Sequence, residues 1–210
     1  MYNMLKKPII WPIIFMAAGA LYLTSCATSP PSSSENACQI FAEKEDWYSA
    51  SKDAREKYGL PVHVQLAIMR QESSFQHDAA PPRETFLGIP MWWRKSSAYG
   101  YAQVKDSTWD WYIDKTGNWG ADRDDYADAV DFMSWYASIS QKTLGISKWD
   151  AYNQYLAYHE GHTGWKKKTY LKKAWLMKVA RKVERYAKKY GAQLKGCEAN
   201  LNSSSWWWPF

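Results

Sequence analysis

The sequence predicts an all-α, or mainly α, domain whose helices are interrupted by one long central loop. From Ala37 onward the apolar residues recur at helical spacing, and no stretch alternates apolar and polar residues for long enough to form a convincing strand. Between the predicted helices, residues 76–97 form a long loop that contains three prolines. With 210 residues, 46% of them hydrophobic and 23% charged, the chain can form one globular domain with short appendages.

The first 25 residues have the layout of an export leader. Two lysines precede a run of fifteen apolar residues, 8–22, which is shorter than the roughly 20 residues that a membrane-spanning helix needs. Leu23-Thr24-Ser25-Cys26 then resembles the bacterial lipobox, in which the cysteine is acylated and becomes the first residue. The resemblance implies an outer-membrane lipoprotein that faces the periplasm, with a Ser/Pro-rich tether over residues 26–36. A retained membrane anchor is the alternative.

The three cysteines divide between these two roles. If Cys26 carries lipid, Cys38 and Cys197 remain as a pair in a compartment where disulfides persist. We predict that they are bonded and join the first helix of the mature chain to the end of the last, with two free thiols as the alternative. Closing a loop of about 160 residues corresponds to roughly 4 to 5 kcal/mol of chain entropy.

Capping and stop signals set the predicted helix boundaries. Gly59 and Gly145 end two helices, Pro61 occupies a first-turn position, and Ser147 caps another. The candidate helices span residues 37–58, 61–73, 106–115, 124–143, 147–158 and 163–190.

The last predicted helix is amphipathic, with lysines on one face and an apolar stripe on the other. Residues 166–195 carry ten Lys, two Arg and one Glu, whereas residues 106–131 carry eight Asp, and this bipolar distribution disfavours nucleic acid as a partner. The basic face is either solvated or attracted to an anionic wall polymer or lipid head groups. The tail, residues 198–210, is Trp-rich and is an interfacial anchor, a motif that binds a partner, or a disordered end. The predicted stripe consists of Leu171, Trp175, Val179, Val183, Tyr186 and Tyr190.

Glu72 is the candidate for chemistry at the end of the helix 61–73. It lies four residues after Ile68 and three after Met69, so it shares a helix face with core-type side chains. Burial among such neighbours raises the pKa of a carboxyl group, which then stays protonated near neutral pH and can donate to a leaving oxygen. The pattern is also typical of a partly exposed surface glutamate.

Three short motifs, in order, give a resemblance to a known family. Glu72-Ser73-Ser74-Phe75, then residues 97–104 (Ser-Ala-Tyr-Gly-Tyr-Ala-Gln-Val), then Ala157-Tyr158-His159-Glu160-Gly161 resemble the motifs of soluble lytic transglycosylase (SLT) domains with the goose-type lysozyme-like fold. The domain is assigned to residues 37–197. The resemblance implies that Glu72 is the single catalytic acid and base and that Tyr158 supports it. It implies substrate contacts from Ser73, Ser74, Tyr101, Gln103, Tyr158 and His159. Tyr101-Ala102 replaces the usual Leu-Met, and His159 replaces the usual Asn.

The resemblance also implies an activity on peptidoglycan. The expected reaction cleaves the β-1,4 bond between MurNAc and GlcNAc without water and leaves 1,6-anhydro-MurNAc ends, since the matching motifs contain no second carboxylate for a hydrolytic mechanism. Two alternatives stay open: a hydrolytic muramidase, with Asp131 as a second carboxylate, and a non-catalytic peptidoglycan-binding or scaffold lipoprotein. The expected partners are glycan strands and the membrane that holds the lipid anchor, while partners from the cell-wall machinery are left open.

No cofactor or metal is expected. His159, Glu160 and His162 are close in sequence, but their spacing differs from the two histidines four apart of zinc proteases. The central loop is expected to lie over the glycan groove, with Trp92 and Trp93 stacking on sugar rings. A lid that packs on the core without touching ligand is the alternative.

Overall fold

The protein is mainly helical, as predicted. The computed structural model describes residues 29–203, which form seven α-helices, a short 3₁₀ helix and one two-stranded antiparallel hairpin. The helices are α1 Ala37–Glu43, α2 Glu45–Tyr58, α3 Val62–Ser73, α4 Asp106–Thr116, α5 Tyr126–Leu144, α6 Ala151–Lys166 and α7 Ala174–Ser203; the strands are β1 Arg83–Phe86 and β2 Ile89–Arg94, and the 3₁₀ helix is Thr169–Lys172.

Helix α3 is the central element of the core. Nearly all of its residues are buried, and it packs mainly against α7, with α2, α5 and α6 around it. The buried Gln65 links α3 to its neighbours, because its Nε2 donates to the carbonyl oxygens of Ser51 and Leu60 at 3.0 and 2.9 Å. This enclosure fixes the position of the last turn of α3, which carries Glu72.

Several predicted boundaries differ from the structure. The first predicted helix is broken at Lys44, whose ψ of 74° is not helical. Helix α6 begins at Ala151 because Asp150, not Ser147, caps it by accepting from Asn153 N at 3.0 Å. It continues beyond residue 158 to Lys166, with a kink at Gly161.

The predicted helix 163–190 is split, and of the six residues of its predicted apolar stripe only Val183 and Tyr190 are buried. Lys168 adopts a left-handed conformation and the 3₁₀ helix follows, so α7 begins only at Ala174. Leu171 and Trp175 are therefore 57% and 56% exposed, which corrects their predicted place in the stripe. The buried stripe of α7 consists of Leu176, Ala180, Val183, Ala187, Tyr190 and Leu194.

The central loop contains a β-hairpin that the sequence did not predict. Strands β1 and β2 pair through Arg83 with Arg94, Thr85 with Pro90 and Phe86 with Ile89. Leu87 and Gly88 form the turn, both with positive φ, which suits the right-handed twist of a tight hairpin. The strands lack alternation because their residues are mostly exposed on both faces.

The segment before α1 is packed against the body, which corrects the prediction of a flexible tether for residues 31–36. Pro31 is buried, and the Glu35 carboxylate pairs with Lys189 at 2.7 Å and with Arg70. The Ser34 carbonyl accepts from Arg70 Nε at 3.0 Å. These contacts tie the segment to α3 and α7.

The predicted disulfide between Cys38 and Cys197 is confirmed. The two Cα atoms are 6.0 Å apart, so the bond joins α1 to the far part of α7. The leader, the lipidation site Cys26 and residues 204–210 of the tail lie outside the described residues. None of the helices in the described part could span a lipid bilayer.

Candidate active site

Glu72 lies at the edge of a cleft between the central helix and the surrounding loops. The cleft has a volume of about 400 Å³. Its walls come from α3, from residues 96–108, and from α5 and α6. A cleft of this size accommodates part of a carbohydrate chain rather than a whole strand.

The Glu72 carboxyl group is enclosed and incompletely hydrogen-bonded. Its Oε1 atom is buried and has no hydrogen-bond partner within the described residues. Burial raises the pKa of Glu72 from 4.5 to about 7, and a hydrogen bond from the Tyr155 hydroxyl partly opposes this rise. At neutral pH a large fraction of Glu72 therefore carries a proton that it can donate into the cleft.

The second sequence motif forms a tight loop opposite Glu72. Gly100 has a φ of 77°, and a Cβ atom there would collide with the carbonyl oxygen of Arg123, so only glycine fits. Gln103 lines the cleft and its Nε2 donates to the carbonyl oxygens of Ala79 and Gly100 at 2.7 and 3.0 Å. Gln103 thus holds the loop in shape as well as forming part of the cleft wall.

Helix α6 supplies two tyrosines one turn apart. Tyr158 lines the cleft and its hydroxyl donates to the Ala102 carbonyl at 2.6 Å, which ties α6 to the second motif. Tyr155 is the tyrosine that hydrogen-bonds to the Glu72 carboxyl group. The resemblance assigned the support of Glu72 to Tyr158 alone and missed Tyr155, although the spacing of three residues places both on one helix face.

A second glutamate, Glu160, also lines the cleft. Its side chain is 4% exposed and its Oε1 accepts from Lys173 Nζ at 2.6 Å and contacts His159 Nδ1 at 3.2 Å. The Thr169 hydroxyl donates to Oε2. Although burial opposes it, these donors lower the pKa of Glu160. From the sequence, Glu160 was considered only as a metal ligand, so its place as a second carboxylate in the cleft was missed.

The predicted substrate-binding residues do not all lie in the cleft. Gln103, Tyr158 and His159 line it together with Glu72. The other three lie outside its lining, and their role in binding stays a prediction. Ser73 is buried and donates to the Met69 carbonyl, Ser74 is exposed, and Tyr101 packs edge-on against Trp47.

Asp131 is not placed to act as a second carboxylate for Glu72. It pairs with Lys57 Nζ at 2.9 Å and accepts from the Tyr112 hydroxyl at 2.7 Å, and it does not line the cleft. His162 faces away from His159, since its ring stacks on Tyr136 and its Nε2 hydrogen-bonds to Ser140 Oγ at 2.9 Å. Within residues 29–203, no three His, Cys, Asp or Glu side chains come together in a way that could hold a metal ion.

The end of the central loop contributes Ser96 and Ala98 to the cleft wall, but Trp92 and Trp93 do not line it. Trp92 is 83% exposed and contacts Trp93 edge-on, with ring centroids 5.4 Å apart. The hairpin is also not a lid packed on the core, because most of its side chains are exposed.

A known protein family matches most of the chain. The family model described as "Transglycosylase SLT domain" matches residues 14–197, which is most of the chain. The match spans all three motifs and every helix up to the disulfide. No curated protein has a sequence similar enough to match.

Proposed function

The chain belongs to the transglycosylase SLT domain family, which acts on peptidoglycan glycan strands, and on this premise we propose that it is a lytic transglycosylase with Glu72 as its catalytic acid and base. The observation that carries the proposal is the enclosed Glu72 carboxyl group, whose pKa is raised to about 7 at the edge of the cleft. The bond cleaved is the β-1,4 bond between MurNAc and GlcNAc.

The first step transfers the Glu72 proton to the glycosidic oxygen. As the bond breaks, positive charge develops at C1 of the MurNAc sugar, and the N-acetyl group of that sugar stabilises it. The leaving GlcNAc end takes the proton, so Glu72 becomes a carboxylate. This step needs a protonated acid, which the raised pKa of Glu72 supplies at neutral pH.

The second step returns the proton to Glu72. Its carboxylate accepts the proton of the MurNAc 6-hydroxyl, and O6 attacks C1 to close the 1,6-anhydro ring. No water is consumed, and Glu72 ends protonated for the next cycle. Ordinary hydrolytic glycosidases use a second carboxylate, either as the nucleophile or as the base that activates water. Glu160 is the other glutamate in the cleft lining, and donors occupy both of its oxygens, which favours the non-hydrolytic route.

The test is digestion of purified sacculi followed by muropeptide analysis. Glu72→Gln is expected to release anhydro-muropeptides about 10²- to 10⁴-fold more slowly than the wild type, because it cannot donate a proton. Glu56→Gln, at an exposed position of α2, is the matched control and is expected to keep full activity. Anhydro products formed equally well by Glu72→Gln would refute the assignment. Reducing ends would indicate a muramidase, and binding without products would indicate a non-catalytic wall protein.

We further propose that a lipid on Cys26 holds the protein on the outer membrane, facing the periplasm. The lipobox-like sequence that ends at Cys26 supports this placement, as does the cysteine pairing that leaves Cys26 outside the disulfide. Intact-mass measurement of the membrane-extracted protein is expected to show a diacylated N-terminal cysteine. A wild-type protein with an unmodified Cys26 would contradict the placement, and Cys26→Ser is expected to leave the membrane fraction.

A further inference from the structure

The β1–β2 hairpin presents apolar side chains that no part of the described chain covers. The exposed fractions are 64% for Phe86, 87% for Leu87, 66% for Ile89 and 83% for Trp92. Together with Trp93, these residues make up five of the nine large hydrophobic side chains that are exposed in residues 29–203. Apolar exposure this concentrated on a folded protein marks an interaction surface.

The hairpin is exposed on both faces, so its occupant has to surround it. Only Glu84 in β1 and Met91 in β2 are even half-buried. An isolated two-stranded hairpin is marginally stable in water and needs further burial to be held. A groove on a protein partner typically covers one face of a hairpin, whereas the interface of a lipid bilayer surrounds both faces and the tip.

Polarity changes along the hairpin in the order that a bilayer interface requires. The tip is Leu87-Gly88, the Phe86–Ile89 pair comes next, and the Arg83–Arg94 pair closes the base. Arg83 is four residue steps from Leu87 at the tip, a length of about 13 Å along β1. This length lets the tip enter the boundary between head groups and acyl chains, roughly 5 to 10 Å deep, while the two arginines stay at the depth of the phosphates. Trp92 then lies between the tip and the arginines, at the depth that interfacial tryptophans prefer.

The root of the hairpin lies at the end of the molecule where the chain leads to the membrane. Ser29 Oγ is 3.5 Å from Lys44 Nζ, which lies 5.9 Å from the ring of Trp47. The ring of Tyr101 is 5.6 Å from the same tryptophan, and the backbone N–H of the adjacent Gly100 donates at 2.9 Å to the carbonyl oxygen of Ala79, four residues before β1. In the proposed lipoprotein the lipid is on Cys26, three residues before Ser29, so the bilayer is at most about 11 Å from Ser29.

We propose that the tip of the β1–β2 hairpin inserts into the phospholipid bilayer and forms a second membrane contact beside the N-terminal attachment. Two contacts fix the orientation of the cleft relative to the membrane, whereas a single attachment leaves the domain free to rotate about it. The proposal goes beyond the catalytic function and does not depend on it, since the hairpin tip does not line the cleft.

The test measures the immersion of the tip with nitroxide labels. The full chain is reconstituted in vesicles of phosphatidylethanolamine and phosphatidylglycerol, with a label on Leu87→Cys or, as a matched control, on Lys142→Cys. Lys142 is exposed in the last turn of α5, and the first residue of that helix, Tyr126, stacks on Trp47. Lys142 is 16 residues after Tyr126, which places the control about 24 Å along the helix axis from the end of α5 that contacts Trp47.

We expect oxygen, which dissolves in the bilayer, to relax the label at position 87. A water-soluble nickel chelate should relax the label at position 87 at least about tenfold less than it relaxes the label at position 142. Adding Ile89→Asp should expel the tip and restore access to nickel, because a carboxylate is costly at this depth. The Ile89→Asp variant is expected to keep its activity on soluble glycan fragments, and this result would show that its domain is folded. Equal nickel access at positions 87 and 142 would overturn the proposal. Protection from both reagents would also overturn it, because it would indicate burial by protein or by a second copy of the chain.

Discussion

Two glutamates line the same cleft and have opposite electrostatics. Glu72, on α3, has one oxygen buried without a partner and a pKa raised to about 7. Glu160, on α6, is also almost fully buried, yet its pKa is lowered because Lys173, Thr169 and His159 surround its two oxygens. The comparison teaches that burial alone does not make a catalytic acid. The number of donors that meet the carboxylate decides whether it keeps its proton.

The two glutamates therefore have different effects on the stability of the folded protein and different roles in the cleft. Glu72 lowers the stability of the folded protein once it is ionised, and it supplies a proton in return. Glu160 joins α6 to the segment 169–173 through its charged form, and so it holds the wall of the cleft. Ionised Glu72 lowers the stability of the folded protein, whereas ionised Glu160 raises it. Carboxyl groups with perturbed pKa values, held at a cost in stability, are typical of catalytic sites.

The largest expected effect on stability comes from Glu72→Gln. The folded pKa of Glu72 is above its unfolded value of 4.5, so its favourable contribution is complete below pH 4.5 and is lost as the pH rises through about 7. The shift to about 7 corresponds to roughly 3 kcal/mol. Relative to wild type, the free energy of unfolding of Glu72→Gln should therefore rise by about 3 kcal/mol between about pH 4 and pH 9.

Urea denaturation at several pH values checks this difference. Glu56→Gln is again the matched control, and its stability relative to wild type should not follow the same curve. A Glu72→Gln variant whose advantage stays constant over the whole pH range would show that Glu72 does not titrate as described.

A smaller effect of opposite sign is expected from Glu160→Gln. The neutral amide loses the charge-assisted bond from Lys173 and weakens the contacts with Thr169 and His159, so we expect a loss of about 2 kcal/mol at neutral pH. Because the folded pKa of Glu160 is below 4.5, the contribution of its carboxylate is present above that value and is lost as the pH falls through the folded pKa. The variant and wild type should thus converge in acid. Thermal unfolding checks this, and a variant as stable as wild type at neutral pH would contradict it.

The smallest effect is expected from Tyr155→Phe, which tests a positioning residue. The Tyr155 hydroxyl lowers the pKa of Glu72, so its removal should raise that pKa further. The decline of kcat/KM at alkaline pH, where Glu72 loses its proton, should therefore move to higher pH. Tyr152→Phe, one turn earlier on α6, is the control. A uniform loss of activity with an unchanged pH profile would indicate a structural role only.

The sequence was most informative where one local signal dominated. Helix α3 was predicted within one residue because its sequence is mostly apolar and Pro61 marks its start. The Cys38–Cys197 bond followed from counting cysteines. Glu72 was found from its apolar neighbours on the helix and from the order of the motifs, and the structure adds the cleft at which it lies.

The rest depended on contacts between distant segments. The hairpin was missed because Phe86 and Ile89 are apolar without alternation and a Leu-Gly turn is not a usual hairpin signal. The apolar stripe of α7 was predicted at the wrong residues because the helix is interrupted at the left-handed Lys168 and a new helix begins at Ala174. The role of Glu160 was missed because its donors Thr169 and Lys173 come from beyond that break.

The most direct test of the account is a titration of the Glu72 carboxyl group. In the folded protein with ¹³C-labelled glutamate, the Glu72 signal is identified by its loss in Glu72→Gln and followed from acid to alkaline pH. The account predicts a midpoint at about 7, with the Glu160 signal titrating below 4.5 in the same sample. A Glu72 midpoint at its ordinary value of 4.5 would contradict the central claim that this residue holds the catalytic proton at neutral pH.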